Sequence, residues 1–146
     1  MFKEIVIFTS DMFDLSLNEE EEDPNIIPLG EDVAEFLIDK LKKCGIEVSE
    51  AFEDECGWDI DITIQKQKYT AYIHWAPLGR KDEKAQDYWV IQLNTKKSLL
   101  KSLFGKYEVD YIKLEPLCNI VHKILADERR ISNIKWLDLS EFSKIY

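Results

Sequence analysis

Trp58-Asp59-Ile60-Asp61-Ile62-Thr63-Ile64 is the stretch whose reading decides the fold. Apolar and polar residues alternate through it with a period of two, so the isoleucines and Trp58 fall on one side of a strand while Asp59, Asp61 and Thr63 fall on the other. A strand with one dry and one wet face belongs to an antiparallel sheet, because parallel strands are covered on both faces. Downstream, Gln65-Lys66-Gln67-Lys68 can turn the chain into a second alternating segment, Tyr69 to Trp75. The two read as a hairpin. After a loop from Ala76 to Lys84, Tyr88-Trp89-Val90-Ile91-Gln92-Leu93 is apolar at nearly every position, as expected of a central, covered strand.

Upstream, Ile46 to Phe52 alternates as one further strand, interrupted by the turn-forming Glu53-Asp54-Glu55-Cys56-Gly57. Before it, Val33, Phe36, Leu37, Leu41 and Cys44 recur at spacings of three and four, which predicts a helix from Glu31 to Cys44. Its ends agree. Glu31 and Asp32 occupy the first turn and Lys40, Lys42 and Lys43 the last, as the helix dipole favours, and Gly45 supplies a left-handed stop. Phe2 to Ser10 reads as a first strand. Leu117, Ile120, Val121, Ile124 and Leu125 mark a C-terminal helix with Pro116 in its first turn, and Lys96 to Phe104 marks a short helix ending at Gly105. Ile134 to Leu139 reads as an edge strand or an extended tail. The expectation is therefore α+β: a single domain over residues 1–146, with a mostly antiparallel five- or six-stranded sheet packed against two or three helices.

Charge is distributed unevenly. Residues 1–61 hold 19 of the 29 acidic but only 4 of the 19 basic residues, a net −15 against +5 for the rest of the chain. Such a field attracts a basic partner and repels nucleic acid. Two groups carry it. Glu19, Glu20, Glu21, Glu22 and Asp23 lie in a stretch, about residues 16–28, where like charges and Pro24 oppose regular structure, so the expectation is a mobile loop that steers a partner electrostatically. Glu53, Asp54, Glu55, Trp58, Asp59 and Asp61 sit on a turn and a strand and are the expected partner-binding residues. Lys66 and Lys68 are the expected cations beside Asp59 and Asp61, should that face merely be neutralised.

No run of apolar residues reaches the length of a membrane span, and the first residues lack the pattern of a secretory signal, so the expected location is the cytoplasm, with no membrane partner. Cys44, Cys56 and Cys118 are widely spaced and odd in number, which suits reduced, partly buried thiols rather than disulfides or zinc. The five glycines stand singly and build no phosphate-cradling loop, and no nucleophile elbow or metal-binding histidine pair is present. The expectation is a protein without cofactor or metal. One alternative is a small hydrolase or metal-binding enzyme using Asp59, Asp61 and His74. Another is a structural or oligomeric subunit with exposed aromatics around Trp89 or Trp136.

The segments Gly30-Glu31-Asp32-Val33-Ala34, Gly45-Ile46-Glu47-Val48 and Glu53-Asp54-Glu55-Cys56-Gly57-Trp58 resemble a group of small bacterial cytoplasmic proteins. In that group a Gly-Glu-Asp helix start precedes an acidic Gly-Trp strand start, and some members resemble immunity proteins that neutralise toxins. The resemblance spans about residues 30–75, with Cys56 inserted between the acids and Gly57. It implies a non-enzymatic inhibitor of a basic partner protein such as a toxin.

Overall fold

A computed structural model describes residues 2–13, 15, 28–79, 84–96 and 109–145. The elements run β1 (Ile5–Ser10), α1 (Glu31–Lys43), β2 (Glu47–Val48), β3 (Phe52–Glu53), β4 (Trp58–Ile64), β5 (Gln67–Leu78), β6 (Gln86–Thr95), α2 (Tyr111–Ala126), β7 (Ile131–Leu137) and α3 (Leu139–Ser143). All seven strands form one antiparallel sheet in the order β2-β4-β5-β6-β1-β7, with β3 also pairing β4. The protein is α+β, as its alternation predicts. The expected loop of residues 16–28 and the expected helix of residues 96–104 fall, apart from Pro28 and Lys96, outside the described residues.

The alternation of β4 sorts the sheet into two faces. Trp58, Ile60 and Ile62 join Tyr69, Ala71 and Ile73 of β5, Trp89, Ile91 and Leu93 of β6 and Val6 and Phe8 of β1 beneath α1 and α2. This front face is the main core. On the back face Ile5, Ile7, Ala76, Leu78 and Val90 form a smaller cluster, covered by Phe142 and Ile145 at the C-terminal end. β1 is thus apolar on both sides, and its Ile-Val-Ile-Phe run is wholly buried.

Local chemistry explains most boundaries. In α1 the buried stripe is Val33, Ala34, Leu37, Ile38 and Leu41, while Cys44, expected on that stripe, is the exposed C-cap just before Gly45 at φ 76°. The cysteine expectation needs the same correction: Cys118 is buried, but Cys44 and Cys56 are exposed. Helix α2 starts six residues before Leu117, at an Asp110 side chain that accepts the Lys113 amide at 3.1 Å. Pro116 therefore lies inside the helix rather than in its first turn. The carbonyl left without its amide partner is that of Ile112, which is 86% exposed, so water can serve it.

Strand β5 runs on through Pro77 to Leu78, where a loop was expected. Its pairing with β4 ends at Ile73, so beyond that point β5 has one free edge, and an edge tolerates a residue without an amide. β7 begins at Ile131, earlier than expected, and crosses a bulge at which Asn133 takes φ 56° and donates from Nδ2 to Thr9 Oγ1 at 2.9 Å. Trp89 is 2% exposed, packed edge-on against Phe13 in the front core, so it offers no surface to another copy of the chain.

Glu4 is the one buried charged side chain among the described residues. Its carboxylate accepts the Tyr111 hydroxyl at 2.9 Å and the Leu139 amide at 3.0 Å, joining the start of β1 to the starts of α2 and α3. Among the described residues no helix is long and apolar enough to cross a membrane.

Candidate partner-binding face

The acidic turn between β3 and β4 is tied by its own backbone. The Asp54 amide donates to the Gly57 carbonyl at 2.9 Å, and Asp54 Oδ1 accepts the Glu55 amide at 2.7 Å. Gly57 is buried and pressed onto β5: a β-carbon there would stand 2.3 Å from the Ile73 carbonyl oxygen and 3.0 Å from the His74 β-carbon. The next residue, Trp58, enters the front core at 7% exposure and donates its indole N–H to the Pro28 carbonyl at 2.8 Å. The turn is therefore held by one residue without a side chain and one with the largest.

Register places the side chains. Phe52 stands opposite Asp59, Asp59 opposite Tyr72, and Tyr72 opposite Gln92, so the four share one row across the back face of β3, β4, β5 and β6. Asp61, Thr70 and Asn94 make the adjacent row. Ser49 braces Asp61 from the edge, donating its amide to the Asp61 carbonyl and accepting the Asp61 amide on its Oγ, both at 2.8 Å.

Phe52 is the residue that sequence reasoning missed. A single strand from Ile46 to Phe52 would put Phe52 on the same side as Ile46 and Val48, facing the core. Instead Val48 pairs with Ile62 and Phe52 with Asp59, so three residues of the edge oppose two of β4. That extra residue reverses the phase and turns the ring outward, where it is 48% exposed. The signal was the density of Ser and Glu at Ser49-Glu50, a poor continuous strand.

The carboxylates influence one another. Asp59 is pushed up to about 6, first by burial, then by a hydrogen bond to the Asp54 carboxyl and by the charges of Asp54 and Asp61. Asp61 lies 3.7 Å from Lys96 Nζ, a half-exposed pair that contributes little. Lys96 is brought there by its amide, which donates to the Lys68 carbonyl at 2.9 Å. Of the expected cations, Lys68 stands opposite Thr63, on the same face in the row beside Asp61 but in no ion pair with it among the described residues, and Lys66 occupies the hairpin tip at φ 71°.

Of the expected partner-binding residues, Asp54, Asp59 and Asp61 come together on the back face. Glu55 is exposed at the tip of the turn, Glu53 stands opposite Trp58 at the front rim, and Trp58 itself is core. Glu19 to Asp23 lie outside the described residues. His74, grouped with Asp59 and Asp61 in the enzyme alternative, lies on the same back face, two residues along β5 from the Tyr72 opposite Asp59, and its ring packs beside that tyrosine. Its centroid is 5.2 Å from Tyr72 and 6.4 Å from Phe142, and Nδ1 is 3.3 Å from the Trp75 carbonyl oxygen. Burial holds its pKa below the usual histidine value.

Among the described residues no group of three or more His, Cys, Asp or Glu side chains is arranged to hold a metal ion. Two grooves lined by described residues lie away from this face. One is between the C-terminal ends of α1 and α2, and the other is beside the start of α2. Comparison with protein families, curated proteins and solved structures gives no match.

Proposed function

We propose that this chain is a non-enzymatic cytoplasmic binding protein, of the immunity type, that engages a basic partner protein through the back-face surface of Phe52, Asp54, Asp59 and Asp61. The observation that carries the reading is the exposed Phe52 ring set in one row with Asp59, on a turn that Gly57 fastens to the sheet. A rigid aromatic anchor bordered by carboxylates suits a cationic surface. The ring supplies contact area and stacks on guanidinium groups, and the acids speed encounter and reject nucleic acid. Glu53 and Glu55 extend the field around the rim, and Glu19 to Asp23 add long-range steering. A nuclease or other nucleic-acid-processing toxin is the kind of partner whose basic groove such a surface would occupy.

Affinity capture from the native host at low and high salt tests the reading. A basic protein should be retained at low salt, released at high salt, and lost with charge reversal at Asp54, Asp59 and Asp61. Retention that ignores the reversal sinks the proposal.

The enzyme alternative keeps one observation, the raised Asp59 carboxyl hydrogen-bonded to Asp54, since perturbed acids mark many active sites. Its third member is the difficulty, because the His74 ring is engaged with Tyr72 and Phe142.

A further inference from the structure

We infer that the groove between the C-terminal ends of α1 and α2 binds an amphipathic monocarboxylate, an acyl or aryl acid whose apolar body lies on three isoleucines and whose carboxylate meets Lys40 and Lys123. The groove holds about 520 Å³, within the range of roughly 300–1,000 Å³ usual for small-molecule sites. Its floor is Ile46, Ile120 and Ile124, of which Ile46 and Ile120 are only partly buried and keep apolar surface in contact with water. Covering that surface is the driving force for the ligand's tail.

The headgroup is set by charge. In a chain of net charge −10, three lysines, Lys40, Lys43 and Lys123, gather around this apolar floor. Part of that charge is already used, because last-turn lysines offset the negative ends of the two helices. Lys43 pairs with Asp39 at 3.0 Å, and the Lys40 ammonium lies 5.7 Å from the centroid of the Phe36 ring. Lys123 has no carboxylate within ion-pair distance among the described residues, so its charge is available to a ligand. Asp127, one turn beyond Lys123, and Glu128 also line the groove and leave the lysines as its cationic part. The groove is independent of the proposed acidic site: α1 and α2 cover the front of the sheet, and Asp59 lies on its back.

Cys44, exposed on the rim, makes the test direct. Titration with dodecanoate below its micelle concentration should bind at a single site and slow alkylation of Cys44, located by peptide mass mapping, while Cys56 serves as the exposed internal control. Lys40→Glu and Lys123→Glu should each weaken dodecanoate binding about tenfold or more while the variants stay folded, their melts lowered by no more than a few degrees for the loss of a last-turn lysine. Equal affinity for dodecyltrimethylammonium would overturn the assignment, as would wild-type affinity in both lysine variants or protection of Cys56 equal to that of Cys44. Co-sedimentation with phosphatidylglycerol vesicles, with no binding of free dodecanoate, would make the groove a membrane contact and would equally overturn it.

Discussion

Gly57 and Ile73 touch backbone to backbone, so closely that a β-carbon on residue 57 would stand 2.3 Å from the Ile73 carbonyl oxygen. A strand carbonyl in mid-sheet cannot move aside without breaking its ladder. Gly57→Ala should therefore cost about 2 kcal/mol of stability, as overpacking does, and should displace the acidic turn. Gly45→Ala is the contrast. It meets nothing within 4 Å, and its cost, about 1 kcal/mol, comes from φ 76° alone. Chemical denaturation of both variants, with partner binding as second readout, checks the pair: G57A should lose binding at temperatures where it is still folded, and G45A should not.

Phe52→Ala separates binding from folding. Half of the ring is already in water, so the substitution should change stability by no more than about 0.5 kcal/mol. Partner affinity should fall about tenfold or more if the ring is an interface anchor. Isothermal titration alongside a melt reads both.

Asp59 gives a pH dependence whose sign can be worked out. Its folded-state pKa is raised to about 6 from 3.8, so between those values the folded chain holds more protons than the unfolded one. Stability from this group therefore falls as pH rises through that window and is restored on acidification. Asp59→Asn should stabilise the protein at pH 7 by about 1 kcal/mol, a figure discounted for solvent reaching a half-exposed carboxyl, and should do little near pH 4. Denaturation curves at the two pH values, or a carboxyl titration followed by NMR, decide it. Equal effects at both would refute the raised Asp59 carboxyl.

Tyr111→Phe removes one of the two donors that the described residues give the buried Glu4 carboxylate. Hydrogen bonds to charged groups contribute about 1.5–3 kcal/mol, so the loss should lie in that range and exceed that of Phe52→Ala. Hydrogen exchange should quicken together at the starts of α2 and α3, because Glu4 holds both.

The capping box of α3 can be opened without touching the core. The Asp138 carboxylate accepts the Glu141 amide at 2.7 Å, and the Glu141 carboxylate accepts the Asp138 amide at 3.2 Å. Asp138→Ala should cost about 1 kcal/mol and expose the back-face cluster of Ile5, Ile7 and Val90, which a hydrophobic dye would report.

Sheet class was legible because β4, and β5 as far as Ile73, alternate strictly between a buried face and a wetter one. Helix α1 was legible for the same kind of reason, since its stripe, its end charges and Gly45 agree. What periodicity cannot carry is a change of phase. Phe52 was lost to the extra residue between β2 and β3, and the earlier start of β7 to the bulge at Asn133. Pro116 and Pro77 misled in the other direction, each marking a boundary that exposure of a neighbouring carbonyl or a free strand edge made unnecessary. The site was half visible. Composition found Asp54, Asp59 and Asp61, but the cation beside them, Lys96, comes from a distant segment that only strand pairing brings near.

The position of β1 has a consequence for the order of assembly. Ile7 pairs with Val90 on one side and Lys135 on the other, so β1, synthesised before both of its neighbours, waits for the sixth and the seventh strands. The β4–β5 hairpin, with the acidic turn attached, needs only local contacts and can form while β1 is still unpaired. Until β7 arrives, a strand that starts with four apolar residues remains with an open edge, the kind of species that associates with other chains. A version cut before Ile131 should therefore accumulate as aggregate during synthesis even though every residue of the acidic face is present.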